Sequence, residues 1–189
     1  MKTTKLVTIV LSVLISGIVS AQSYSVNVEK SVLKWTGKKV GGEHYGNINI
    51  KEGNFEVKKD KIASGTFVID MTSLTNTDLT DAGYNGKLVG HLKSDDFFGV
   101  EQHPTAILKI TSATAFDKNE ASVKGNLTIK GKTNPIEFKV VKNGADYSAT
   151  LTVDRSKYDV KYGSSSFFDN LGDKVIYDDF TLEVSLVTK

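Results

Sequence analysis

Three histidines, the adjacent acids Asp95 and Asp96 and one arginine are the residues singled out in this chain as having chemistry that could go beyond packing and surface charge. His91 lies in LVGHLKSDDFFGVEQHP, residues 88–104, close to Asp95 and Asp96 and among Leu88, Leu92, Phe97 and Phe98. Its ring could hydrogen-bond a ligand head group. The ordinary fate of such a histidine is intermediate burial against backbone groups, and that reading is preferred. Asp95 and Asp96 could form an acid and base pair, but neighbours on a turn point apart, so capping of a turn is the better reading. His44, His91 and His103 are separated by 47 and 12 residues, with no short His-x-His or His-x3-His spacing. No metal site and no cofactor are therefore expected. Arg155 is the only arginine, beside 23 lysines. Its fork could hold an anionic head group, or pair with an internal carboxylate such as Asp70 or Asp159. Phosphate-cradling glycine loops, a nucleophile elbow and zinc-protease motifs are absent from the sequence. No catalytic residues are assigned.

The elements that must position these residues read as strands. Apolar residues recur at every second position in Tyr24–Val26–Val28, Leu33–Trp35, Ile48–Ile50, Phe55–Val57 and Phe67–Ile69–Met71. The pattern resumes with Ala106–Leu108–Ile110, with the long odd-numbered face Ala121 to Ile129, and with Ile136–Phe138–Val140. It ends with Tyr147–Ala149–Leu151–Val153 and Phe180–Leu182–Val184–Leu186. A period of two marks strands with one wet and one dry face. Lys38 to Glu43 reads as a basic bend, and Lys58 to Lys61 as a hairpin tip. Asp81 can cap a short helix near residues 82–92, which Gly83, Gly86 and Gly90 weaken. Ser94 with Asp95 could start a second turn that delivers Phe97 and Phe98. Eight or nine antiparallel strands suit an all-β, eight-stranded antiparallel barrel with one or two short helices over its interior. A two-sheet sandwich would alternate in the same way.

Composition bounds the rest. Residues 1–21 carry Lys2 and Lys5, an apolar run of 14 residues and a small-residue end at Ala21. This is the pattern of a cleaved secretory signal, and the run is shorter than the roughly 20 residues of a membrane span. Residues 22–189 are expected to form one domain. Without the leader its charge balances at 22 basic and 22 acidic residues, which argues against nucleic acid as a partner. With no cysteine, neither a disulfide nor a lipid anchor is expected, so stability must come from packing.

Four stretches carry a family resemblance: HLKSDDFFGVEQHPTA at 91–106, GNLTIKGKTNPIEF at 125–138, DRSKYDVKYGSSSFFDNLGD at 154–173 and VIYDDFTLEVSL at 175–186. In this order and spacing they resemble the YceI-like family of lipid- and polyisoprenoid-binding bacterial proteins. The resemblance covers nearly all of the chain after the leader. It implies a lipocalin-like barrel with a hydrophobic interior. It also implies an isoprenoid, quinone or other amphiphilic lipid as ligand, and a periplasmic location.

The residues expected to line such an interior are Trp35, Phe67, Leu108 and Phe138 from strands, and Leu88, His91, Leu92, Phe97 and Phe98 from the cover. Arg155, Phe167 and Phe168 are expected to join them from the long connection. Tyr158 and Tyr162 could close one mouth. Whether the interior is hollow stays open, because aromatic residues pack cores without binding anything. The reading is a non-enzymatic carrier of a hydrophobic ligand. The alternatives are a cavity enzyme acting on an amide or lipid ester, and a filled, non-binding stress-response interaction module. A homodimer is an open option, and no stable membrane anchor is expected.

Overall fold

The computed structural model describes residues 20–189. The expected signal sequence lies almost entirely outside the described residues.

The alternating segments form ten strands: β1 (Gln22–Ser25), β2 (Val32–Lys39), β3 (Gly42–Asn47), β4 (Asn49–Val57), β5 (Ile62–Asp70), β6 (Thr105–Ala113), β7 (Glu120–Ile129), β8 (Lys132–Asn143), β9 (Asp146–Asp154) and β10 (Ile176–Leu186). They build one curled antiparallel sheet in the order β1-β4-β5-β6-β7-β8-β9-β10-β2-β3. The all-β, lipocalin-like expectation holds, with ten strands instead of eight. The excess comes from short elements. β1 has only four residues, and the basic bend is only a tight turn at Gly41, where φ is +82°, so the chain continues at once as β3.

The hydrogen-bonded ladder does not run round a full ring, since β1 and β3 end the order. Corner contacts draw the edges together. Ile48 N–H donates to the Leu33 carbonyl at 3.0 Å, and Asn27 N–H to the Val187 carbonyl at 2.8 Å. An isolated bridge joins Val26 to Thr188. These contacts satisfy edge groups that would otherwise template pairing with another chain.

Alternation sets the core. On β7 the odd positions 121 to 129 are all buried while the even ones face outward or lie half-buried. Several inward residues, including Phe67, Ile69, Leu108 and Leu182, are only partly buried although they pack against the core. Inward yet incompletely covered side chains are what a hollow interior produces.

One helix, α1 (Ala82–Lys93), lies over the interior. Asp81 caps it by accepting from Tyr84 N–H at 2.9 Å. With three glycines, its stability depends on tertiary anchors more than on propensity. Asn85 Nδ2 donates to the carbonyls of Asn76 and Leu79, and Lys93 Nζ to the Thr72 carbonyl at 2.7 Å. The loop carrying these acceptors presses so close to β3 that a Cβ at Gly46 would collide with the Thr75 carbonyl. Residues 94–99 form a turn and not a second helix, with Phe97 and Gly99 N–H both donating to the Ser94 carbonyl. The capping expected of Asp95 and Asp96 does not occur: both are exposed, and the Asp95 carbonyl accepts from Lys130 Nζ at 2.8 Å.

Candidate functional site: two cavities along the barrel

The interior holds an outer cavity of about 160 Å³ under α1. Its walls are aliphatic and aromatic: Leu33, Trp35 and Ile48 on one side, Phe180 and Leu182 beside them, and Ala106, Leu127 and Ile129 opposite. The cover supplies Leu88, His91, Leu92, Phe97 and Phe98. The cover was thus legible in the sequence, and α1 places Leu88, His91 and Leu92 on one face by their three- and four-residue spacing. The ionisable residues in the lining are Lys38, Lys39, His44, His91, Arg155 and Tyr177, with no carboxylate among them.

A second, inner cavity of about 90 Å³ lies further along the barrel. Phe67, Leu108 and Phe138 line this one. Its far end is an aromatic floor. Tyr147 meets Phe55 edge-on at 4.9 Å, and Tyr24 stacks on Phe55 at 5.0 Å. Burial pushes the Tyr147 phenol up to about 12, with Tyr24 adding to the effect.

Phe167 and Phe168 depart from expectation: they are 41% and 50% exposed and line neither interior cavity. Both backbone N–H groups donate to the Ser164 carbonyl in a tight turn. That turn buries Ser164 fully and directs the two rings outward, with Lys161 Nζ over the Phe167 ring. Tyr158 is buried, whereas Tyr162 stands half exposed with its ring 4.4 Å from that of His91. His91 also meets Phe97 edge-on at 5.6 Å, so it sits in an aromatic setting beneath the cover.

Arg155 is 2% exposed and borders the outer cavity. Its donors are largely committed. Nη1 donates to the Val160 carbonyl and Nη2 to the Ile176 carbonyl, both at 2.8 Å, while Nε donates to the Tyr177 carbonyl at 3.2 Å. Its acid partner is Asp178, with Nη2 3.4 Å from Oδ1, and not Asp70 or Asp159 as expected. Asp70 is occupied in capping Thr72, and Asp159 pairs with Lys161. Burial lowers the guanidinium's proton affinity, and Asp178 and Asp154 oppose that. The guanidinium carbon lies 5.3 Å from the centre of the Phe97 ring, a cation–π arrangement that ties the long connection to the cover.

His44 is the site residue that sequence reasoning missed as anything but a metal candidate. Its Nδ1 lies 2.7 Å from Asp78 Oδ2, and the ring borders the outer cavity. The Tyr45 N–H and the Asn76 side-chain amide hold the other Asp78 oxygen. Burial raises the Asp78 carboxyl, but these hydrogen bonds and His44 outweigh it and leave its pKa lowered. The pair spans 34 positions, and only the β3 register with the loop brings it together, so no local spacing announced it. Among the described residues no group of three potential ligands is placed to hold a metal.

A curled antiparallel sheet enclosing apolar cavities beneath one short helix defines a lipocalin-like class of barrel. The YceI-like domain family matches residues 24–188, and the chain belongs to that family. BcnA of Burkholderia cenocepacia is similar at 25% identity and TM-score 0.61, over 85% of this chain and 98% of that one. A polyisoprenoid binding domain from Saccharophagus degradans shares the fold at TM-score 0.58 and 14% identity, over 88% of this chain and 97% of that one. A UPF0312 protein of Pseudomonas aeruginosa is 32% identical over 95 residues, which is 50% of this chain and 47% of that protein. The chain spans less than half the length of the curated relatives it matches. Both cavities lie within the span that the family model matches, and their walls are apolar. No helix among the described residues is long and apolar enough to cross a membrane.

Proposed function

We propose that the protein is a periplasmic carrier for an amphiphile with a long hydrocarbon chain, of the polyisoprenoid, quinone or related lipid class. The observation that carries this reading is the outer cavity: apolar walls, a helical cover and polar lining groups that include lysines, imidazoles, Arg155 and the Tyr177 phenol but no carboxylate. Apolar surface gains roughly 25 cal/mol per Å² on leaving water, so a hydrocarbon chain needs few polar contacts to bind. Lys38, Lys39 and His44 suit a head group that is anionic or rich in hydrogen-bond acceptors. Asp78 orients the His44 ring toward that task. The structural relative described as a polyisoprenoid binding domain supports the choice of chain. The family and the leader-like residues 1–21 support the periplasmic location.

Trp35 is the only tryptophan and borders the outer cavity, so its fluorescence reports occupancy there. Titration of delipidated protein with farnesol should shift and saturate that signal. His44→Ala should weaken binding of farnesyl carboxylate-type amphiphiles by roughly tenfold, equivalent to about 1.4 kcal/mol, while leaving an uncharged hydrocarbon probe unaffected. A flat titration, with Trp35 unresponsive to every prenyl or quinone probe, would contradict the reading.

A further inference from the structure

The two cavities share four lining residues: Leu33, Ile69, Leu127 and Leu182. Their places in the strands put them at the boundary between the two cavities. On β10, Phe180 lines only the outer cavity and Val184 only the inner one, with Leu182 between them. On the run through β5 into the following turn, Met71 lines the outer cavity and Phe67 the inner, with Ile69 between. On β7, Ile129 and Val123 take the same two sides of Leu127, and on β2 Trp35 lies on the outer side of Leu33. Same-face neighbours on a strand lie about 6.6 Å apart, so each wall steps from outer cavity to shared residue to inner cavity. β2 and β10 are adjacent, while β5 and β7 flank β6 elsewhere in the sheet. The four side chains therefore converge from two separate walls.

We propose that Leu33, Ile69, Leu127 and Leu182 form a collar that sorts ligand chains by length. Short chains are housed wholly in the outer cavity. Longer ones gain affinity only by passing their unfunctionalised end through the collar into the inner cavity. This rests on the carrier reading above. The chemistry of the collar suits a passage. All four side chains are aliphatic, so none has a hydrogen bond to break, and Ile69 and Leu182 are only partly buried, which leaves room for rotamer change. The inner cavity beyond has no charged residue in its lining and stops at the Phe55–Tyr147 floor. A polar chain end would lose its hydration there without replacement, whereas a hydrocarbon end would not. The floor sets an upper limit on the length accepted without rearrangement.

The test uses geraniol, farnesol and geranylgeraniol, each one isoprene unit longer than the last, read by Trp35 fluorescence. Wild type should bind geranylgeraniol at least about tenfold more tightly than geraniol. Leu127→Phe narrows the collar and should erase that gain, so that geranylgeraniol binds no more tightly than geraniol. Ala149→Leu fills the inner cavity from a position that is not one of the four collar residues and should do the same, so a folding defect at position 127 does not hide the answer. Should both variants keep the full gain for geranylgeraniol, the collar is overturned while the carrier reading stands. If wild type binds none of the three alcohols, the carrier reading falls and takes the collar with it.

Discussion

At the scale of single residues, Arg155 joins three parts of the molecule. One guanidinium satisfies carbonyls at Val160, Ile176 and Tyr177, and it pairs with Asp178. The Asp178 oxygen it faces is buried and has no hydrogen-bond partner among the described residues. Removing the cation would strand that oxygen and three carbonyls, although Ser166 Oγ still donates to the other Asp178 oxygen. Arg155→Met is expected to cost about 3–5 kcal/mol in urea unfolding, and Arg155→Lys should recover only part of it because an ammonium cannot reproduce the fork. A loss under 1 kcal/mol for Arg155→Met would show that these groups find other partners. That this arginine mattered was legible, since a generic surface cation in this chain would be lysine. Its partner was not, because Asp178 lies on β10 and reaches Arg155 only through the fold.

Acid should act through the aspartates whose carboxyls the fold holds low, Asp70, Asp78 and Asp154 among them. Thr72 hydrogen bonds hold the Asp70 carboxyl below its usual range, against a smaller effect of burial. Burial raises Asp154 and Asp78, but hydrogen bonds from Ser156 to the first, and from Tyr45, His44 and Asn76 to the second, leave both lowered. A carboxyl with a lowered folded pKa contributes stability above its unfolded value, and that stability is lost as pH falls through the folded value. Thermal unfolding should therefore be level above about pH 5 and fall steadily below about pH 4. Asp154→Asn should shallow that fall, and an unchanged acid limb would remove Asp154 from this account.

At the scale of elements, α1 is a cover held by anchors and not by its own propensity. A Cβ at Gly86 or Gly90 would meet nothing within 4 Å. Gly86→Ala and Gly90→Ala should each stabilise the protein by about 0.5–1 kcal/mol in denaturant unfolding. Destabilisation by either would mean that the helix packs more closely than its open surface indicates. The helix itself was readable, since Asp81 caps it as the residue type predicts and it ends at Lys93, one residue beyond the expected Leu92. The turn after it, which delivers Phe97 and Phe98 to the cavity, was readable too, but not what shapes it. Asp95 and Asp96 looked like caps because an acid before an aromatic run usually is one, yet backbone bonds to the Ser94 carbonyl shape residues 94–99 without them. Phe167 and Phe168 failed for a related reason. Apolar character alone could not say that the local turn would bury Ser164 and leave two rings in solvent.

At the scale of the whole molecule, alternation was enough to read the strands and their inward faces, and four stretches in order were enough to read the family. Alternation could not say how the sheet closes, because closure depends on corner contacts such as Ile48 to Leu33 and Val26 to Thr188, which no period encodes. Nor could it say whether the interior is hollow. Ten of the twelve residues expected to line that interior do line one of its two cavities. Their division into an outer set under α1 and an inner set above the Phe55–Tyr147 floor follows from strand register, which only the folded sheet fixes.

The central claim is that this hollow is occupied by a lipid. Protein produced in its native host and purified without detergent should be extracted with organic solvent, and the extract compared by mass spectrometry with that from Leu127→Phe protein treated in parallel. The account predicts a long-chain prenyl or quinone-type lipid released from the wild type in near-stoichiometric amount, and less of it, or a shorter chain, from the narrowed variant. Wild-type protein that releases no lipid, and takes none up after delipidation, would contradict it.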